Sequence, residues 1–165
     1  MTEDRHSSVQ PVPERLGTVT ARLVVERGLE ALDFYRQALA ATETGHRFMT
    51  PTGKLINAEL RIGDSVVMIT EDTGATDAPT RAPSAVGGAV TAVMSTYWPD
   101  VDQAWQRAIT AGAEVINPLA NQFYGERAGR LRDPFGHQWM LSQQIEDVPA
   151  EEVDRRATDF FRFQD

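Results

Sequence analysis

Apolar and polar residues alternate through 18–25 (TVTARLVV), the period of a half-buried strand. From 29 to 41 the spacing changes. Leu32, Tyr35, Ala38 and Leu39 fall on one face of a helix. Alternation returns in 54–64 (KLINAELRIGD) and 65–72 (SVVMITED), and Gly63-Asp64 between them predicts a hairpin. Residues 73–88, rich in Gly, Pro, Ala and Thr, read as a long flexible connection. A second series follows, with a strand at 89–98 (AVTAVMSTYW), a helix at 101–111 and a final strand in HQWMLSQ. At an offset of 70, Tyr35 meets Trp105, Ala38 meets Ala108 and Leu39 meets Ile109, so the order strand–helix–strands recurs.

The pattern therefore predicts an α+β protein made of two βαβββ modules, about 17–72 and 89–145, joined by the 73–88 linker. Neither module buries its own sheet face alone, so the two must pack together. Residues 1–16 carry Pro11 and Pro13 among polar side chains and read as a flexible arm. In 146–165, Pro149, Glu151 and Glu152 suit a first helical turn. Val153, Ala157 and Phe160 line one face of that C-terminal helix, for docking on the body or on a second subunit.

Composition narrows the functional classes. A chain of 165 residues with 41% hydrophobic and 24% charged residues is an ordinary globular domain with room for a core. A net charge of −8 argues against nucleic acid or an anionic membrane as partner, and favours cationic ligands. The absence of cysteine excludes disulfides and thiolate metal sites and suits a reducing cytoplasm. No apolar run reaches the roughly 18 residues of a membrane span, and the first residues hold no hydrophobic signal core. A cytoplasmic location is the expectation. Phosphate loops, nucleophile elbows and HExxH motifs are all missing.

The segment 124–139, YGERAGRLRDPFGHQW, combines an aromatic residue, three arginines and a tight DPFG turn that leads into the final strand. Its pattern of aromatic-Gly-x-Arg followed by Asp-Pro-Phe-Gly-His-x-Trp resembles the last two strands of the glyoxalase/bleomycin-resistance proteins, the vicinal oxygen chelate superfamily. The resemblance spans about 17–145. It implies a curved mixed sheet around a cavity, one sheet face packed on helices and the other lining the cavity. It also implies a homodimer.

Strand parity then sorts the side chains. Val19, Ala21, Leu23, Ile56, Ala58, Leu60, Ile62, Val67, Ile69, Trp139 and Leu141 belong on the helix side. Thr20, Arg22, Asn57, Glu59, Arg61, Val66, Met68, Thr70, Val93, Ser95, Tyr97, Gln138, Met140 and Ser142 belong on the cavity side. The candidate ligand-binding residues are Thr20, Arg22, Asn57, Glu59, Met68, Ser95, Tyr97 and Met140, with Tyr124 and Arg127 closing over the ligand from the hairpin tip. Their mix of thioethers, hydroxyls and one carboxylate suits a metabolite- or drug-sized molecule.

Metal-dependent relatives hold a divalent ion on four strands. The resemblance places those positions at Thr20, Met68, Val93 (or Ser95) and Met140, and none is a good divalent-metal ligand. Asn57 stands where close relatives carry a histidine. His137 has the wrong parity for the cavity and reads as a turn residue bonded to backbone. The expectation is no metal and no cofactor.

Glu59 is the candidate general base. An apolar wall raises its pKa, unless Arg61 or Arg22 offsets the shift. Three functions stay open: a metal-independent small-molecule-binding protein that sequesters a drug or metabolite, an enzyme of the same superfamily (lyase, isomerase or dioxygenase) with a non-standard metal site or Glu59 as base, and a subunit-interaction protein using its last helix.

Overall fold

Each of the two sheet-packing helices starts where the chain supplies a carboxylate to amides that lack a helical partner. The computed structural model describes residues 10–74 and 80–162. In α1 (Gly28–Leu39) the amide of Gly28 donates to the Glu71 carboxylate at 3.1 Å. In α2 (Val101–Thr110) Asp100 is the N-cap and accepts from the amide of Gln103. The apolar stripe predicted from spacing in α1, Leu32, Tyr35, Ala38 and Leu39, is buried together with Ala31, and α2 buries Val101, Ala104, Trp105 and Ala108.

One strand precedes each helix and three follow it. Parallel pairing joins β1 (Arg22–Val25) to β4 (Ser65–Glu71), and antiparallel pairing continues through β3 (Leu55–Ile62) to β2 (Thr42–Met49). The second sheet repeats this with β5 (Val93–Tyr97), β8 (Gln138–Gln144), β7 (Glu126–Arg132) and β6 (Glu114–Asn121). The strand orders are β1-β4-β3-β2 and β5-β8-β7-β6. The internal repeat is thus present. Because α1 starts at residue 28 and α2 at residue 101, its offset at the helices is 73 rather than 70, and Leu32, not Tyr35, matches Trp105. Edge strands β2 and β6 escape a reading by alternation because their registers are broken and most of their side chains are partly exposed.

Three strand assignments change, one of them being the strand read over 89–98, which narrows to Val93–Tyr97. The first strand begins at Arg22, not at residue 18, because the chain bends at 18–19 and Val19 is 90% exposed instead of facing the helices. In β3, residue parity holds from Asn57 to Ile62 but fails at Ile56, which is half exposed while Leu55 is fully buried. Opposite it, β2 advances one residue from Phe48 to Met49 while β3 moves two from Asn57 to Leu55, and this extra residue flips the alternation.

A single core joins the modules. It contains Leu23, Val25, Leu60, Ile69, Leu131, Trp139 and Leu141 from both sheets and the stripes of both helices. Trp105 lies so close over β7 that a Cβ on Gly129 would fall 2.5 Å from its ring, so only glycine fits there. At the centre sits the Asp133 carboxylate, only 4% exposed. It accepts from the Tyr35 hydroxyl (2.7 Å), the Trp139 indole (2.9 Å) and the amides of Phe135 and His137 (both 2.9 Å). Burial, then the nearby Asp133 charge, holds the Tyr35 phenol well above its ordinary pKa. The imidazole Nε2 of His137 lies 2.8 Å from the Val24 carbonyl oxygen, the backbone role its parity predicts.

The linker's second half is not loose. Asp72 accepts from the amides of Gly74 and Ala82 (both 2.8 Å) and from Arg81 Nε (3.0 Å). Ala82 and Pro83 are buried, and Pro83 lies against Gly136, whose φ of 93° also requires glycine. The C-terminal helix α3 (Ala150–Arg162) docks without burying any residue fully. Its Arg156 reaches Glu146 and the Phe123 carbonyl, and Phe160 packs on Phe123.

Three substitutions test these anchors. Asp133→Asn turns an acceptor of four bonds into a partial donor and should cost about 2–4 kcal/mol in urea unfolding. Tyr35→Phe, losing one bond, should cost about 1–2 kcal/mol. The three donors around Asp72 hold its folded pKa at about 2, below the roughly 3.9 of an unfolded aspartate. Its contribution is therefore present above pH 4 and lost as pH falls towards 2. The melting-temperature gap between wild type and Asp72→Asn should be widest above pH 5 and should close near pH 2.

Candidate functional site

Because the helix-facing sides of both sheets share one core, their polar sides form the free faces of the molecule. Strand register places the residues of each face in rows. Across the first sheet run Arg22, Met68, Glu59 and Thr44. The equivalent row of the second sheet is Ser95, Met140, Arg130 and Asn117.

On the first face four of the predicted site residues come together. Arg22 donates to Asn57 Oδ1 at 2.9 Å and to Met68 Sδ at 3.0 Å. Glu59 is the register neighbour of Met68 and is buried. Its counter-ion is neither Arg61 nor Arg22 but Arg15, whose Nε and Nη2 fork onto the two carboxylate oxygens at 2.7 and 3.0 Å. Arg15 belongs to the segment read as a flexible arm; residues 1–9 lie outside the described residues, but the arm's end is tied to the sheet. Hydrogen bonding from Arg15 outweighs burial and lowers the Glu59 pKa, so the expected upward shift is not met. Glu59 is a paired carboxylate, poor at accepting a proton near neutrality. Thr20 stands apart, before β1, with its hydroxyl 3.5 Å from the Gly17 carbonyl oxygen.

Ser95, Tyr97 and Met140 share the second face. The Tyr97 hydroxyl donates to Glu126 Oε1 at 2.7 Å. Tyr124 lies beside them in the β6–β7 turn, stacked edge-on against Phe123. Arg127 does not join this group. It has the parity of buried Leu131 and forks onto Asp102 of α2 at 2.9 and 2.7 Å, on the helix side. Strand parity at β7 puts Arg130 on the free face instead. Arg130 is not among the residues selected from the sequence, although extending the alternation argument from β8 to β7 finds it.

Two clefts open where the modules interlock, and each combines a first strand of one module with the last turn of the other. One, of ≈ 530 Å³, lies between β1 and the start of β8 and includes Arg22, Pro83, Met94, His137 and Gln138. The other, of ≈ 610 Å³, lies between β5 and the β3–β4 turn and includes Val67, Ser95, Tyr97, Trp98 and Trp139. Both have the volume of a small-molecule pocket. Of the ten predicted ligand-binding residues, only Arg22 lines the first cleft and only Ser95 and Tyr97 line the second; the other seven line neither.

The four positions assigned to metal ligands can now be judged by their register. Met68 and Met140 occupy equivalent places, but their partners on the first strands are Arg22 and Ser95, two residues beyond Thr20 and Val93. A guanidinium resting on a thioether, with a second thioether and a serine, does not fit a divalent cation, which needs carboxylate, imidazole or several oxygen donors. Among the described residues no three His, Asp or Glu side chains converge. No described helix is long and apolar enough to cross a membrane.

The family model for the glyoxalase/bleomycin resistance protein/dioxygenase superfamily matches residues 15–141. Uncharacterised proteins of Mycobacterium bovis and Mycobacterium tuberculosis are each 39% identical over 136 residues, spanning 82% of this chain and 88% and 79% of theirs. Among solved structures, TioX from Micromonospora sp. ML1 has a TM-score of 0.58 at 22% identity, covering 81% of this chain and 100% of its own. The fosfomycin resistance protein FosX from Listeria monocytogenes has a TM-score of 0.55 at 16% identity, covering 83% and 97%. These structures share the fold of two βαβββ modules. With the family model covering most of its length, the chain belongs to the glyoxalase/bleomycin resistance protein/dioxygenase superfamily.

Proposed function

We propose that this protein binds a small organic molecule on the free faces of its sheets without a metal, sequestering a drug or metabolite as a homodimer. The observation that carries the reading is the Arg22 guanidinium on Met68 Sδ and Asn57 Oδ1. A fixed cation occupies the ground where a metal-dependent relative needs donor atoms. Met68 and Met140 offer polarisable, adaptable contact surface, and Tyr97 and Tyr124 offer rigid aromatic faces at the rim. Arg22, Asn57, Glu59 and Ser95 supply directional polar contacts. Binding alone protects a cell when it holds the free ligand concentration low.

The enzymatic alternative with Glu59 as general base is the weaker one. Effective proton abstraction needs a base whose pKa lies near the working pH, and Arg15 drives Glu59 the other way.

Protein purified from metal-supplemented medium should carry no stoichiometric Mn, Fe, Ni, Co or Zn, and a chelator should leave its melting temperature unchanged. One metal per chain together with a chelator-lowered melting temperature would overturn the proposal. Glu59→Gln should fold normally but respond differently in a thermal-shift ligand screen; an unaltered response removes Glu59 from the site.

A further inference from the structure

The two equivalent rows differ in how the charge on the third strand is met. Each has a charged residue on its third strand, Glu59 in the first and Arg130 in the second. Glu59 has an internal counter-ion in Arg15, held by two hydrogen bonds. Arg130 has none among the described residues, and its Nε is shielded from solvent without any hydrogen-bond partner. Its neighbours on the same strand make the contrast sharper, since Arg127 is paired with Asp102 and Arg132 with Glu114. A buried donor left unmade is costly, the more so when it is charged. Around Arg130 the register places Met140, Asn117 and, one strand further, Ser95. None of these carries a negative charge.

We infer that Arg130 is an anion subsite, and that the molecule bound on the second sheet carries an oxyanion such as a carboxylate or a phosphonate beside an apolar body. This rests on the reading that the free sheet faces bind a small molecule, and it reverses the preference for cations that net charge suggests. The −8 of the whole chain is spread over its surface, whereas recognition is decided within a few ångströms of the ligand. A guanidinium matches an oxyanion with two parallel N–H donors. Met140 and Tyr97 on the same face provide apolar contact for the body of such a molecule.

The test uses the full chain with benzoate and phenylphosphonate as anionic probes, and benzamide and benzyl alcohol as neutral counterparts. Binding is followed by calorimetry and thermal shift in wild type, Arg130→Met and Arg130→Lys. At least one anion should bind saturably, about tenfold or more tighter than the neutral probes. Arg130→Met should weaken that anion about 10- to 100-fold and leave neutral probes unaffected, with Arg130→Lys in between. Without ligand, Arg130→Met should melt no lower than wild type, because it removes an unsatisfied buried donor. Equal anion affinity in wild type and Arg130→Met overturns the inference, as does a marked loss of ligand-free stability in both variants. Should neutral probes bind and perturb Met140 methyl signals while anions gain nothing, the binding face stands and the anion subsite falls. If no probe binds, both fall. If Arg130→Met instead dissociates a dimer in light scattering, a second copy supplies the counter-charge and the inference fails.

Discussion

The fold depends on one buried carboxylate. Asp133 accepts from Tyr35 of the first module, from Trp139 of the second, and from two amides of its own turn. A polar group this deep persists only if its lone pairs are filled, and filling them forces α1, the DPFG turn and β8 into one arrangement. The consequences reach the surface. With the turn fixed, His137 meets the β1 backbone, Pro83 meets Gly136, and the helix-facing sides of the two sheets close on one core. The polar sides are then left as the free faces.

Those faces show how charge works locally in an acidic protein. Arg22 and Arg15 hold the first face together by satisfying Asn57, Met68 and Glu59 from within the chain. The same pairing lowers the Glu59 pKa, so one contact shapes both the electrostatics and the chemistry open to the site. On the second face the register neighbours of Arg130, Met140 and Asn117, are neutral, and its Nε has no partner among the described residues. The internal repeat thus carries two different chemistries on one backbone plan, an expected result when function resides in side chains grafted on a common fold.

Much of this was legible in the sequence. Helical spacing marked the stripe of α1, Gly63-Asp64 marked the β3–β4 hairpin, and alternation placed Val67, Ile69, Trp139 and Leu141 in the core and Met68 and Met140 opposite them. These features survive folding because they depend on near neighbours in the chain. The failures share a cause as well. Val19 and Ile56 were misplaced where the chain bends or bulges, which depends on the partner strand. β2 and β6 were not resolved individually because edge strands bury too little to impose alternation.

Sequence alone determined the periodicities, the repeat and the DPFG turn, all of them local chemistry or composition. Tertiary structure alone decided the pairings between distant residues. Arg15 reaches Glu59 across 44 positions, Tyr35 reaches Asp133 across 98, and Arg127 turns to Asp102 while Arg130 Nε has no partner among the described residues. Periodicity tells which side of a strand a residue occupies. Which charge meets which is set only when the sheets and helices pack, because Coulomb and hydrogen-bond energies depend on distance in space and not on distance along the chain.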